Sequence, residues 1–189
     1  FYSHYSSNKT ITITGTNGKS TTVKLLYMIL KNHNKDVRLC GNIGKPILLE
    51  KNVSRKTIFV IEASSYQIEY SNIFKTNYAM ILNISPDHLE RHGSIKNYVK
   101  AKFKLVQNQS KKDFAYINVK EKYLSKIMKT NKIFSKIINV NLNKTKKFKK
   151  KITNSYFLTK GNQENLSFIF SISQKLNLNN KIILQTINK

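Results

Sequence analysis

ITITGTNGKSTT, residues 11–22, is the stretch from which the rest of the chain can be read. Ile11, Thr12, Ile13 and Thr14 are all β-branched, which suits a buried strand. Gly15 and Gly18 bracket the next four residues, and both tolerate positive φ, so the chain can turn sharply there. From Val23 the apolar residues Val23, Leu26, Tyr27 and Leu30 recur at helical spacing, which places Lys19 and Ser20 in the first turn of a helix. Strand, glycine loop and helix in that order make a phosphate-binding loop. Free N–H groups and the positive end of the helix dipole face an anion there, Lys19 adds a charge for the β- and γ-phosphates, and the Ser20 hydroxyl can ligate Mg²⁺. Gly15, Thr16, Asn17, Gly18, Lys19, Ser20 and Thr21 are therefore the candidate nucleotide-binding residues. The loop is a short G-x-x-G-K-S; the longer Walker pattern has a glycine where Ile13 stands here.

The composition allows one α/β domain with a proper core: 189 residues, 40% of them hydrophobic. The net charge of +25 alone would suggest a nucleic-acid or anionic-membrane partner. The lysines, however, are spread along the whole chain among asparagines and isoleucines, with only three arginines, which is the mark of a compositional bias and not of a basic patch. The densest run, KTKKFKKK at 144–151, reads as a solvated loop. Neither clustered arginines nor aromatics interleaved with lysine on one face support a nucleic-acid module, so no nucleic-acid partner is expected. With nine carboxylates in the chain, four of them (Glu62, Glu69, Asp87 and Glu90) fall within one stretch, so those in motifs are informative. Cys40 is the sole cysteine, which excludes an internal disulfide, and no apolar run approaches the ~20 residues of a membrane span. A cytoplasmic setting with no membrane contact fits. The chain opens at Phe1 without a methionine and reads as a piece of a longer protein.

Residues 1–9, polar and aromatic without a period, read as the remnant of a linker, and 10–177 as the domain. The first strand and helix take about 10–33. A short strand at 37–40 leads into GNIGKP at 41–46, a loop with two glycines where a second ligand contact is expected. The run TIFVI at 57–61 is apolar throughout, as in strands buried on both faces of a parallel sheet, and it ends at Glu62. A short helical stretch leads to another apolar strand at 78–82, which ends at Asn83 and the segment ISPDH. Each strand thus runs apolar and then delivers polar residues at its carboxyl end, where ligands bind in open α/β sheets. Ser94 is a good N-cap for a helix whose apolar side carries Ile95, Tyr98, Val99, Phe103 and Val106, and Lys102 lies on that helix. Strands are expected at 114–118, 137–142 and 156–159, and helices at 121–129 and 163–176. Residues 178–189 read as an unfinished final helix leading toward a further, C-terminal domain. Strand alternating with helix predicts an α/β fold, a doubly wound, mostly parallel sheet with a phosphate-binding loop.

Taken together, GTNGKST at 15–21, GNIG at 41–44, EASSYQIE at 62–69, NISPDHLERHG at 83–93 and YVKAKF at 98–103 resemble the central ATP-binding domain of the Mur ligases, enzymes of peptidoglycan precursor synthesis. The resemblance covers nearly the whole chain and is strongest over about 10–110. Within the family, GNIG and the Ser-Ser-aromatic-Gln after Glu62 look most like the branch that adds D-glutamate to UDP-N-acetylmuramoyl-L-alanine. The resemblance implies ATP and two Mg²⁺ ions, and a substrate carboxylate that takes the γ-phosphoryl group before the amine attacks it. Two anions must meet, so positive charge is needed between them, which the resemblance assigns to the metal ions and Lys19.

By the same resemblance Ser20 and Glu62 hold the Mg²⁺ that bridges the β- and γ-phosphates. His88 helps to hold the second ion, and Asn42 and Ser64 position the muramoyl substrate. Lys102 corresponds to a carbamylated lysine, a bridging anion made from an amine and CO₂. Only the neutral amine reacts, so its pKa must be lowered by burial or by neighbouring cations, the metal ions, Lys100 and Lys104 being the expected ones. Asn162 and Asn165, in GNQEN at 161–165, resemble the segment beside the adenine, although a histidine of that segment is missing or displaced here. Lys19, His88 and Lys102 are thus the implied catalytic residues. The resemblance also implies a full-length enzyme that is a monomer, with further domains on either side, and a fragment that is inactive alone. The competing expectations are a related ligase for another amino acid or for folate glutamylation, and a basic nucleic-acid-binding module.

Overall fold

The computed structural model of the chain describes residues 5, 7–71 and 74–189. Of the linker read over 1–9, residues 1–4 and 6 lie outside the described residues. Asn8 is already buried and its Nδ2 donates to the carbonyls of Ser54 and Thr57, at 2.7 and 3.0 Å.

The first strand, β1 (Lys9–Thr14), explains its own sequence. Successive side chains alternate across a sheet, so Ile11 and Ile13 face one layer, where they join the larger apolar core. Thr10, Thr12 and Thr14 face the other and are equally buried. Those threonines need partners and have them: Thr10 bonds with Asn77, the Thr12 hydroxyl meets that of Thr76 at 2.9 Å, and Thr14 Oγ1 accepts from Lys102 Nζ at 3.4 Å.

From β1 the chain continues through α1 (Lys19–Asn32), β2 (Val37–Gly41), β3 (Ile58–Glu62), α2 (Ser65–Tyr70), β4 (Tyr78–Ile81), α3 (Leu89–His92) and α4 (Ile95–Gln107). It ends with β5 (Phe114–Ile117), α5 (Lys122–Thr130), β6 (Lys136–Asn139), α6 (Lys160–Lys175) and α7 (Asn180–Ile187). Among the described residues the strands form one sheet in the order β2-β3-β1-β4-β5-β6, with parallel pairing throughout. Helices α1, α6 and α7 cover the face that carries Ile11, Ile13, Val60, Met80 and Tyr116. The other face, with Ala79, Ile81, Ala115 and Ile117, packs against Ile68 of α2, Val99 and Phe103 of α4, and Leu124 of α5. This is the doubly wound α/β arrangement expected from the alternation of strand and helix. After β3 the chain crosses from one side of β1 to the other, so the switch point of the topology lies at the carboxyl end of β1.

Two local expectations are corrected. Residues 156–159 are not a strand: Ser155–Leu158 form a 3-10 turn, because the Asn154 side chain accepts from the Tyr156 N–H and Phe157 N–H bonds back to the Asn154 carbonyl. The basic run is not a loop either. Lys144–Lys151 coil as 3-10 helix that buries Thr145 and stacks Phe148 on Phe170, ring centroids 4.4 Å apart, with most of its lysines turned to solvent.

Candidate functional site

The carboxyl ends of four adjacent strands lie side by side, because the parallel register places Gly41 of β2 opposite Glu62 of β3, and Glu62 opposite Ile13 of β1. β4 ends beside Thr14 and hands over to Asn83. Two glycines are required by this crowding. At Gly41, φ +104°, an added Cβ would lie 2.1 Å from the Glu62 carbonyl oxygen; at Gly18, φ +83°, it would strike the Asn165 side chain at 2.4 Å.

Gly18 is the residue before α1, and neither a capping side chain nor an acidic residue occupies that helix's first turn. Its first N–H groups have no intrahelical partner, so they and the helix dipole are free for an anion. Lys19 folds over the loop, its Nζ donating to the carbonyls of Gly15 at 3.0 Å and Thr16 at 2.7 Å. Thr22 secures the other side, its hydroxyl donating to the Gly18 carbonyl at 2.7 Å.

Asn83 holds the loop from β4, a role that sequence reading missed. Its carbonyl accepts from Thr16 N–H at 3.0 Å, its Oδ1 from Asn17 N–H at 2.8 Å, and its Nδ2 donates to the Asn17 carbonyl at 3.0 Å. The signal was an asparagine directly after an apolar strand, but its partner Asn17 lies 66 residues away. The Thr16 hydroxyl, in turn, accepts from Ser85 N–H at 3.0 Å and lies 3.1 Å from the Tyr98 hydroxyl.

Glu62 is 1% exposed. Asn42 Nδ2 donates to its Oε1 at 3.2 Å and Asn42 N–H to its carbonyl at 2.9 Å, while Oε2 is buried with no hydrogen-bond partner. A buried carboxylate oxygen left unpaired at a strand end beside a phosphate loop is a place for a cation. Among the described residues no group of three or more His, Cys, Asp or Glu could hold a metal by itself, so any ion here would also need hydroxyl, phosphate or water oxygens.

Lys102, on α4, is 2% exposed and reaches the same loop from below. Its Nζ donates to the Gly15 carbonyl at 3.0 Å and lies 4.6 Å from the centre of the Tyr98 ring. Burial lowers its pKa to about 7, and the ammonium of Lys19 adds to the effect. The expected contribution of Lys100 and Lys104 is corrected. Lys104 turns away to donate to the Glu69 carbonyl at 2.7 Å, and Lys100 lines an outer cleft with Lys122 and Lys126. Positions two residues apart on a helix do not share a face.

The remaining candidates surround this centre. His88 stands at the N-cap of α3 in a left-handed conformation, φ 51°, with a side chain 46% exposed, Nε2 3.5 Å from Asp87 Oδ2 and Nδ1 3.9 Å from Glu90 Oε1. The Ser64 hydroxyl caps α2, accepting from Gln67 N–H at 3.2 Å. Asn165 lies against Gly18 and donates to Asn162 Oδ1 at 3.3 Å; Asn162 donates to the Tyr156 carbonyl at 2.7 Å. Tyr156 in turn meets Thr21 Oγ1 at 2.9 Å, beside a groove of about 280 Å³ that Ser20 and Lys24 also line. The start of α6 is therefore tied to the start of α1. Cys40 is buried and its thiol is pushed up to about 12, chiefly by desolvation, which disfavours the thiolate. No described helix is long and apolar enough to cross a membrane.

Comparison with known proteins agrees with this fold. The family model described as the Mur ligase middle domain matches residues 13–184. A UDP-N-acetylmuramoylalanine–D-glutamate ligase from Phenylobacterium zucineum is 44% identical over 119 residues, 63% of this chain and 25% of that protein. The matched stretch of the chain thus covers about a quarter of the length of these curated relatives. Among solved structures, a UDP-N-acetylmuramate:L-alanyl-gamma-D-glutamyl-meso-diaminopimelate ligase from Neisseria meningitides aligns over 97% of this chain and 66% of its own, with a TM-score of 0.72 at 11% identity. A MurF ligase from Thermotoga maritima in complex with ADP aligns over 73% of this chain and 33% of its own, with a TM-score of 0.57 at 22% identity.

Proposed function

The chain belongs to the Mur ligase middle-domain family, and from that premise we propose that it is the ATP-binding core of a ligase that adds D-glutamate to UDP-N-acetylmuramoyl-L-alanine. The observation that carries the reading is the convergence at one sheet edge of Lys19, the unpaired Glu62 Oε2 and the buried Lys102, the two lysines sharing the Gly15 carbonyl. The ADP complex of the Thermotoga maritima neighbour supports a nucleotide as the ligand of this loop. The domain plan that goes with the reading is a linker remnant at 1–9, the core at 10–177, and 178–189 leading toward a C-terminal domain. The complete enzyme would be a cytoplasmic monomer with no nucleic-acid or membrane partner.

In this reading the first-turn amides of α1 and the Lys19 ammonium bind the β- and γ-phosphates, Lys19 leaving its two loop carbonyls for phosphate oxygens. Asn83, Thr22 and Tyr98 keep the loop in shape so that little reorganisation accompanies binding. The alanyl carboxylate, positioned by Asn42 and Ser64, takes the γ-phosphoryl group with ADP as the leaving group, and the acyl phosphate is attacked by the amine of D-glutamate, which gives up a proton as phosphate is released. Ser20 and Glu62 would hold one Mg²⁺, and His88 and a carbamylated Lys102 a second. Such ions supply electrostatic neutralisation of the charge developing between the two anions. Asn162 and Asn165 brace the loop from α6 and lie on the nucleotide side of the site. Lys102 is suited to carbamylation because an amine with a pKa of about 7 is substantially neutral at neutral pH.

The test is calorimetry of Mg·ATP on the chain and on Lys19→Ala. Binding in the first and at least a ~10-fold loss in the second are expected, since a charge-assisted contact to phosphate contributes about 1.5–3 kcal/mol. Equal affinity in both proteins would remove the loop assignment. For Lys102, ¹³C-bicarbonate should give a carbamate signal with the wild-type chain and none with Lys102→Ala.

A further inference from the structure

We propose that His92 is a positioning residue, coupling the substrate-side segment at Ser64–Ser65 to the phosphate-binding loop through Tyr98. The inference rests on the reading of the loop as a nucleotide site. His92 is the last residue of α3, and its side chain is 1% exposed, in contrast to the half-exposed His88 one turn earlier. A buried imidazole must satisfy its nitrogens. Nε2 lies 3.0 Å from Ser65 Oγ, the first residue of α2, and Nδ1 is 3.7 Å from Glu69 Oε2 on the next turn of that helix. Ser65 is equally buried, so its hydroxyl is committed to this bond.

The ring faces are committed as well. One lies parallel to Tyr66 of α2, centroids 5.4 Å apart and 9° between planes, and the ring meets Tyr98 of α4 edge to face at 5.3 Å and 61°. Tyr98 then reaches two groups of the site: its hydroxyl lies 3.1 Å from Thr16 Oγ1, and its ring carries the Lys102 ammonium at 4.6 Å. The backbone of His92 joins the assembly too, its carbonyl accepting from Asn97 Nδ2 at 2.9 Å. One side chain therefore touches α2 through hydrogen bond and stacking, and α4 through the aromatic edge, while its own helix follows the His88 segment.

These contacts add a side-chain route between segments that leave adjacent strands, where Ala63 N–H already donates to the Ile13 carbonyl at 3.0 Å. Ser64 follows β3, whereas Thr16 follows β1, and no described hydrogen bond links Ser64 or Ser65 to the loop directly. If Tyr98 moves with Thr16 when phosphate enters, the packed ring of His92 moves with it and Ser65 follows, because interdigitated aromatic rings do not slide independently. Loop and substrate segment then settle together, as two anions brought to reaction distance require.

The experiment is a Mg·ATP titration of the ¹⁵N-labelled chain followed by NMR. In wild type the amide signals of Ser64 and Ser65 shift along with that of Thr16. In His92→Leu nucleotide still binds, Thr16 still shifts, and the Ser64 and Ser65 shifts fall about fivefold. In His92→Gln, whose amide can still reach Ser65, much of the response returns, a rescue that simple filling of space does not produce. Should His92→Leu lose its fold, Ser65→Ala carries the test, since it deletes one oxygen: loss of the Ser64 shift supports the coupling, and retention overturns it. Shifts at Ser64 and Ser65 that are unchanged in His92→Leu, or absent from wild type that binds nucleotide, overturn the coupling and leave the nucleotide reading standing. A wild-type chain that binds no Mg·ATP overturns both.

Discussion

Lys102 presents the sharpest physical conflict at the residue scale, an ammonium-bearing side chain 2% exposed beside a second lysine. Its pKa is lowered to about 7 in the folded chain, against ~10.4 for a free lysine. The sign follows from linkage. Below pH 7 both folded and unfolded chains hold the proton and burial of the charge destabilises the fold in full. Between pH 7 and about 10 the unfolded chain binds more protons, so stability rises with pH, by at most ~1.4 kcal/mol per unit for one group. In metal-free, CO₂-free buffer, Lys102→Met should therefore be more stable than wild type at pH 6, and the gap should narrow steadily toward pH 10. Urea unfolding at a series of pH values measures it, and parallel curves would show that the amine is solvated. Glu62 is the complementary case. Its unpaired Oε2 is predicted to matter only when a cation is present, so Glu62→Gln should leave ATP affinity in EDTA within about twofold of wild type and remove most of the gain on adding Mg²⁺. Calorimetry with and without the metal separates the two terms.

At the scale of elements, the glycines divide by what surrounds them. Gly41 ends β2 with φ +104°, and a Cβ there would lie 2.1 Å from the Glu62 carbonyl, a backbone atom that cannot move without breaking the sheet edge. Gly41→Ala should cost more than ~3 kcal/mol in urea unfolding and disturb Asn42 and Glu62 together. Gly161, in the first turn of α6 with open space around it, should by contrast gain up to ~1 kcal/mol as alanine. The same local logic explains what could be read in advance. β1, α1 and the strands ending at Glu62 and Asn83 were legible because apolar runs and helical spacing are local signals, and the Ser94 cap was legible for the same reason. Asn154 was not, since one side chain turned an aromatic segment with strand propensity into a 3-10 turn. Asn83 and His92 carried no role in the sequence because their contacts depend on which strand ends become neighbours. Likewise Lys19, 83 residues from Lys102, could not be named as the cation beside it, and the sequence neighbours Lys100 and Lys104 stood in its place.

The described residues form a two-faced sheet with the proposed site at one end of its strands, and the charge of +25 is spread along the whole sequence. Helices α1, α6 and α7 on one face and α2, α4 and α5 on the other leave open the carboxyl ends of β1 to β4, where Gly15, Lys19, Glu62, Asn83 and Lys102 lie together. This explains why the chain is expected to bind nucleotide by itself: Lys19, Ser20, Asn83 and Asn165 are positioned by its own two layers. It also limits what the chain can complete. Acyl transfer needs the two substrates held at reacting distance, an effect that contributes several kcal/mol to catalysis and vanishes with an ångström of misplacement. In the proposed reading Asn42 and Ser64 position only one substrate, both are partly committed to Glu62 and Gln67, and the matched stretch covers only about a quarter of the length of the relatives. Incubated with ATP, Mg²⁺, UDP-N-acetylmuramoyl-L-alanine and D-glutamate, the 189-residue chain should form no amide detectable by mass spectrometry, although Mg·ATP binds. Product formed at the rate of a complete ligase would mean that this single sheet edge holds the amino acid as well, and the proposed division of labour between domains would fall.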